Sequence, residues 1–288
     1  MTQQQSELPN WTGLLNWSTK FHDGTSKSQF GPLDPERRRW LEAALSSSYE
    51  SGESPPKIMA KAIEEISEGR ISAGLDLLDY VSDFPDCAEE IDKRGGLEVL
   101  ISLISSTDVR VVVRALGVLT LYLPNNPRIQ LAASLRHDIV GKLKLAIAAH
   151  SDDISVIHSA ISVMGATIRN VVPLENAFVK EGGCTFIVDI AMQSTDISVV
   201  QKVCTIITSL SERNSLADKS ERISNLIERI YGSGLFDPKD IQFWEIAASL
   251  WRAASFGPYI RSDLIAKRLS WIGEQEEYAT ERDILRLR

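Results

Sequence analysis

From residue 55 onward the apolar residues recur at spacings of three and four. Ile58, Ala62, Ile63 and Ile66 form one such stripe, and Leu97, Leu100, Ile101 and Ile104 form another. This period predicts amphipathic helices, and no clear alternating pattern predicts a strand. Val109 to Val113 is β-branched enough to pass for a strand. It continues through Ala115, Leu116, Val118 and Leu119, which is too long for a strand of ordinary length, so the segment is read as a buried helix.

The helical pattern itself repeats. Four segments open with an aspartate, a β-branched residue and a long apolar helix: they start at Asp108, Asp153, Asp196 and Asp240, at intervals of 45, 43 and 44 residues. A period of about 40–47 residues is that of armadillo and HEAT helical arrays. Each aspartate is placed to cap the free N–H groups of the helix behind it and to complement the helix dipole. A second marker keeps the same register. Lys93-Arg94-Gly95-Gly96-Leu97 and Lys180-Glu181-Gly182-Gly183-Cys184 lie 87 residues apart, two periods. Each Gly-Gly is expected to end one helix and start the next, because glycine accepts the left-handed conformation of a sharp helix stop. The fold class expected is therefore all-α, an armadillo-like helical-repeat solenoid.

The N-terminal part differs. Residues 22–32, rich in Gly, Ser and Thr, read as a flexible linker, preceded by the short apolar cluster Leu14-Leu15-Asn16-Trp17. Asp34 and Pro35 then form a helix start, with Pro35 at the first helical position. The expected organisation is a flexible segment over 1–34, an armadillo-like repeat domain over 35–236, and a final repeat with a helical extension over 237–288.

Charge narrows the function. With 31 Lys+Arg against 39 Asp+Glu the net charge is −8, which argues against nucleic acid and against electrostatic attachment to an anionic membrane. The longest basic run, Arg37-Arg38-Arg39, is flanked by Glu36 and Glu42 and reads as a solvated helix turn. Three cysteines, Cys87, Cys184 and Cys204, are an odd number, two of them within apolar runs, and suggest buried reduced thiols. The polar N-terminus and the lack of an apolar run of about 18 residues lead to a cytoplasmic protein without a membrane span.

Catalytic chemistry is not evident. There is no phosphate-binding loop with its lysine, no dinucleotide fingerprint and no nucleophile elbow. The four histidines have no metal-ligand spacing, and the cysteines form no Cys-x-x-Cys pair. His158 beside Ser159 is not a dyad, since adjacent helix residues point apart. No enzyme, no cofactor and no metal are expected. A solenoid of this kind works as a binding surface along its concave side. Polar positions on the second helix of each repeat are the candidates: Arg110, Arg114, Ser155, His158, Ser159, Ser198, Gln201 and Lys202, with Arg114, Ser159, Lys202 and Ile246 aligned across repeats. They form either a partner-binding stripe or merely solvated faces.

The motifs resemble a known family. Leu14-Leu15-Asn16-Trp17-Ser18, His22-Asp23-Gly24-Thr25 and Glu36 through Leu45 are similar to the armadillo-type nucleotide exchange factors of the 70-kDa heat-shock chaperone, the heat-shock-binding-protein/Fes-type family. Gly95-Gly96-Leu97, Asn125-Asn126-Pro127-Arg128, Ile168-Arg169-Asn170, Phe178 through Gly183, Asp218-Lys219-Ser220 and Leu226 through Ile230 follow in that family's order. The segment Asp83 to Ala88 departs from it, as does Leu121-Tyr122-Leu123 before the Asn-Asn-Pro turn, and residues 235–288 lie beyond it.

The resemblance implies a co-chaperone. Its concave face would grip one lobe of the chaperone's nucleotide-binding domain and favour an open lobe arrangement, so that ADP leaves. Arg110, Arg114, His158, Ser159, Arg169, Gln201 and Lys202 would be the partner-binding residues. Leu14, Leu15, Trp17 and Phe21 would form a release segment that imitates chaperone substrate; alternatively they dock on the protein's own first helix. A monomer is expected. The rival reading is a generic armadillo adaptor for another protein complex.

Overall fold

In a computed structural model, the chain divides into two units, Met1–Ser54 and Pro55–Arg288. The structure describes residues 35–40, 54–84, 87–213, 216, 220–254 and 262–286. In the first unit, residues 35–40 form a short exposed stretch of helix that carries Arg37, Arg38 and Arg39. The release segment Leu14, Leu15, Trp17 and Phe21 and the linker 22–32 lie outside the described residues.

The second unit is helical throughout its described elements. In chain order these are α1 (Pro55–Ser67), α2 (Ile71–Ser82), α3 (Cys87–Lys93), α4 (Gly96–Leu103), α5 (Val109–Tyr122), α6 (Pro127–Leu135), α7 (Ile139–Ala149) and α8 (Ile154–Ile168). There follow α9 (Val172–Lys180), α10 (Gly183–Gln193), α11 (Ile197–Ser211), α12 (Ser220–Gly232), α13 (Ile241–Ala253), α14 (Ser262–Ile272), a 3-10 turn over Glu276–Tyr278, and α15 (Ala279–Arg286). The β-branched run at Val109 is helical, as its length requires.

The four repeating aspartates are the caps. Asp108 accepts from the Arg110 N–H, Asp153 from Val156, Asp196 from both Ser198 and Val199, and Asp240 from Phe243. Such a cap contributes about 0.5–2 kcal/mol. Behind each cap the apolar period buries one side of the helix: Val112, Ala115, Leu116 and Leu119 in α5, then Val156, Ala160, Ile161 and Met164 in α8, and Val199, Val203, Cys204 and Ile207 in α11.

The capped helices stack on one another, with a helix lacking the aspartate cap at each end of the stack. α2 packs on α5, α5 on α8, α8 on α11, α11 on α13, and α13 on α15, forming an inner row. The intervening helices form a second row, in which α10, α12 and α14 follow one another. One apolar cluster runs between the rows from Ile58 to Leu285.

Three complete repeats have three helices each: α3–α5, α6–α8 and α9–α11. The aspartate-capped helix is therefore the third of its repeat, not the second as the sequence pattern suggested. The helix that opens each repeat has only seven to nine residues, too few for its period to stand out beside the next one.

The turns within these repeats require positive φ at equivalent places. Gly95 has φ 77° and Gly182 φ 76°, and both separate a first helix from a second. In the middle repeat the same place is held by Asp138, at φ 46°, whose carboxylate caps α7 at Gly141. Aspartate tolerates this region better than most residues because its short side chain bonds locally. The second glycine of each pair has a different reason. A Cβ on Gly183 would sit about 2.5 Å from the Phe178 ring, and one on Gly96 would sit 2.7 Å from Ile91 Cγ1. There the two helices meet too closely for a side chain.

Buried polar groups tie helices together both between and within repeats. The Tyr122 hydroxyl donates to the Leu78 carbonyl at 2.7 Å. Gln130, buried in α6, donates to the carbonyls of Ala166 and Arg169 at the end of α8. One repeat later, buried Glu175 accepts from the Asn170 N–H at 3.0 Å and from Arg213 at 2.8 Å, which holds Asn170 at φ 64°. The last such element is an ion pair: Arg268 donates twice to Glu281, at 2.8 Å each, with both side chains buried.

Candidate partner-binding face

The inner row sets the first two turns of its helices side by side. Arg114, in α5, donates to the Ser72 hydroxyl at 2.7 Å and pairs with Asp76, both on α2. Arg110 pairs with its own cap, Asp108, at 3.1 Å and is otherwise exposed. Across the next interface His158 on α8 feels the charges of Lys202 and Asp196 on α11. Ser159 lies beside His158, and Gln201 beside Lys202; all four are half-buried. Arg110, Arg114, His158, Ser159, Gln201 and Lys202 therefore all lie toward the N-terminal ends of the stacked helices.

Arg169 does not join them. It is the residue after α8, eleven positions beyond His158 and thus about 16 Å further along the helix axis. Its carbonyl is held by Gln130, and its side chain is exposed.

The electrostatics of this face differ from a simple basic stripe. Arg114 is neutralised by Asp76, and Arg110 by Asp108. Among the described residues Lys202 has no ion-pair partner. The His158 imidazole is not the exposed group its sequence context suggests. Burial holds its pKa below the usual histidine value, with the Lys202 ammonium adding to the effect and Asp196 opposing it. The Asp196 carboxyl is held below the usual range, first by the Ser198 hydroxyl and then by the N–H groups it caps.

α2 shares this face but lacks the aspartate that marks the other helices of the row. Arg70 stands in that place, and its side chain makes no cap. The opening Ile71-Ser72 nevertheless repeats as Ile154-Ser155 and Ile197-Ser198. That dipeptide is the sequence signal for Ser72 and Asp76 as members of the face.

No group of three or more His, Cys, Asp or Glu residues able to hold a metal occurs among the described residues. Among them, too, no helix is long and apolar enough to cross a membrane. The arrangement is that of an all-α, armadillo-like helical-repeat protein.

Comparison with known proteins narrows this class. The family model for the SIL1/FES1/HPBP1 C-terminal domain matches residues 87–230, from the start of α3 into α12. The chain belongs to this family, the nucleotide exchange co-chaperones of the Hsp70 chaperone. It is similar to the nucleotide exchange factor SIL1 of Xenopus laevis, with 25% identity over 186 residues, 63% of this chain and 39% of the relative. The chain thus spans about two fifths of that relative's length. Among solved structures, an engineered protein aligns over 79% of this chain and 94% of its own, with a TM-score of 0.60 and 19% identity. A structure titled Uso1-2 aligns over 74% of this chain and 39% of its own, with a TM-score of 0.56 and 11% identity. At these identities the two structures support the fold alone.

The cytoplasmic location expected from the sequence is corrected. The curated relative, SIL1, is an exchange factor of the endoplasmic reticulum, which points away from the cytoplasm. The expectation rested partly on an odd number of thiols. All three cysteines are buried, and burial keeps a thiol from reacting in an oxidising compartment as well as in a reducing one.

Proposed function

We propose that this protein is a nucleotide exchange factor that binds the nucleotide-binding domain of an Hsp70 chaperone and promotes ADP release. The observation that carries the proposal is the coincidence of the family match with the inner row. Residues 87–230 contain α5, α8 and α11, whose first two turns carry Arg110, Arg114, His158, Ser159, Gln201 and Lys202. This face grips one lobe of the chaperone and has higher affinity for the arrangement in which the nucleotide cleft is open. Differential affinity of this kind is the only way a ligand can shift such an equilibrium. Arg169 is at most a peripheral contact. The apolar residues Leu14, Leu15, Trp17 and Phe21 help release bound polypeptide by occupying the substrate groove. The protein acts as a monomer and performs no covalent chemistry.

The test is release of a fluorescent ADP analogue from Hsp70 on addition of the full chain. Accelerated release is expected, and Lys202→Glu should reduce it while leaving the helical circular dichroism intact. Lys202 is the informative position, because reversing Arg114 would also break its internal pair with Asp76. Release unchanged across Hsp70 proteins from different compartments would refute the reading.

A further inference from the structure

We propose that a cavity at the C-terminal end of the array is a docking pocket for one bulky apolar side chain, best aromatic, presented by a partner peptide with a carboxylate beside it. The cavity has a volume of about 260 Å³ and lies between α12, the turn after it, α13 and α14. Its walls are Ile230, Phe236, Trp244, Leu264 and Trp271, with Lys267 at the rim. All but Ile230 fall after the family match ends.

Three observations define the occupant. The first is size. Pockets for drug-sized molecules and cofactors run from about 300 to 1,000 Å³, so this one takes a single large side chain, not a nucleotide. The second is the wall. The rings are fixed in place rather than free to collapse: the Arg268 guanidinium lies 4.1 Å from the Trp244 ring and 4.6 Å from the Trp271 ring, Arg229 lies 5.9 Å from the Phe236 ring, and Trp271 packs edge-on against Tyr278. Trp271 is still 41% exposed, an aromatic surface open to a partner. Tyr231 also lines the cavity, and its buried hydroxyl has no hydrogen-bond partner among the described residues. The third is charge. Arg268 is neutralised by Glu281, whereas Lys267 is exposed and has no ion-pair partner among the described residues. An acidic residue next to the anchor would meet Lys267 at the rim, where an aromatic anchor in a pocket is the usual centre of a protein interface.

The inference does not rest on nucleotide exchange, and its test contains no chaperone. The full chain is titrated with a blocked pentapeptide, Gly-Asp-Phe-Asp-Gly, while the protein's own tryptophan emission is followed. Trp244 and Trp271 line the site and the peptide has no tryptophan, so the signal comes from the protein. Saturable change is expected, weaker by about fivefold in Lys267→Glu and for the Gly-Lys-Phe-Lys-Gly peptide, as one exposed charge pair is worth little. Leu264→Trp, with native circular dichroism, should abolish it by filling the cavity. No saturable change up to about 1 mM peptide would overturn the proposal. So would equal binding of the acidic and basic peptides, or undiminished binding by a folded Leu264→Trp variant.

Discussion

Arg268 and Glu281 offer the sharpest test of how the last helices are held to the array. Arg268 is 6% exposed at its side chain and Glu281 is fully buried. The guanidinium gives two hydrogen bonds to the carboxylate and one, at 2.9 Å, to the Pro238 carbonyl, and lies against Trp244 and Trp271. The pair thus ties α14 to α15 and to the turn before α13. Removing one partner leaves the other as a buried, uncompensated charge, which destabilises by about 3–5 kcal/mol, whereas exchanging both for apolar residues of similar size is often nearly neutral. Arg268→Met should therefore weaken the local structure by that amount. The Arg268→Met, Glu281→Met double variant should recover most of the loss. Hydrogen exchange of the α15 amides is the assay, because a repeat array opens locally before it unfolds as a whole. A loss of about 3–5 kcal/mol is a rise of about one hundred- to a few thousand-fold in the exchange rate, at about 1.4 kcal/mol per factor of ten. If the single variant changes exchange less than tenfold, or if the double variant is as unstable as the two single losses added together, the pair is not what secures α15.

Further outcomes are expected. Gly182→Asn should be tolerated better than Gly182→Ala, which has open space but a left-handed φ costing about 1–2 kcal/mol for a side chain without local hydrogen bonds; Gly183→Ala should cost about 1–3 kcal/mol by pressing on Phe178. Both are read from urea midpoints, and equal tolerance at 182 would refute the turn argument. Asp196 has a depressed folded pKa, so its stabilisation is present above the unfolded value of about 3.9 and is lost as pH falls through the folded value; Asp196→Asn should therefore flatten the loss of stability below about pH 4, measured by denaturation at each pH. The His158 NMR titration should fall below about 6.5 and move upward in Lys202→Gln, and the Cys204 thiol, pushed up to about 12 by burial, should resist alkylation at pH 8 until the protein unfolds.

Much of the candidate face is legible in the sequence and part of it is not. The cap aspartates and the polar positions just after them follow a fixed interval, so the pattern alone aligns Arg114 with Lys202 and places His158 beside the same stripe. What that alignment does not show is that Asp76 on α2 neutralises Arg114, since the two residues are 38 apart and α2 lacks the cap that marks the repeat. Nor does it show that His158 is half-buried: its burial comes from α11 packing against α8, not from its own helix.

By itself the sequence determined the aspartate-capped helices, their repeat and where they start. These are local consequences of apolar period, aspartate caps and Gly-Gly breaks, each acting within a few residues. Only the tertiary structure decided that the repeats have three helices, that Tyr122 ties α5 to α2, and that a buried ion pair holds α15 to α14. Such features depend on contacts between residues far apart in the chain, 13 positions for Arg268 and Glu281 and 44 for Tyr122 and Leu78, where the low dielectric and close packing of the interior select partners that no local pattern encodes.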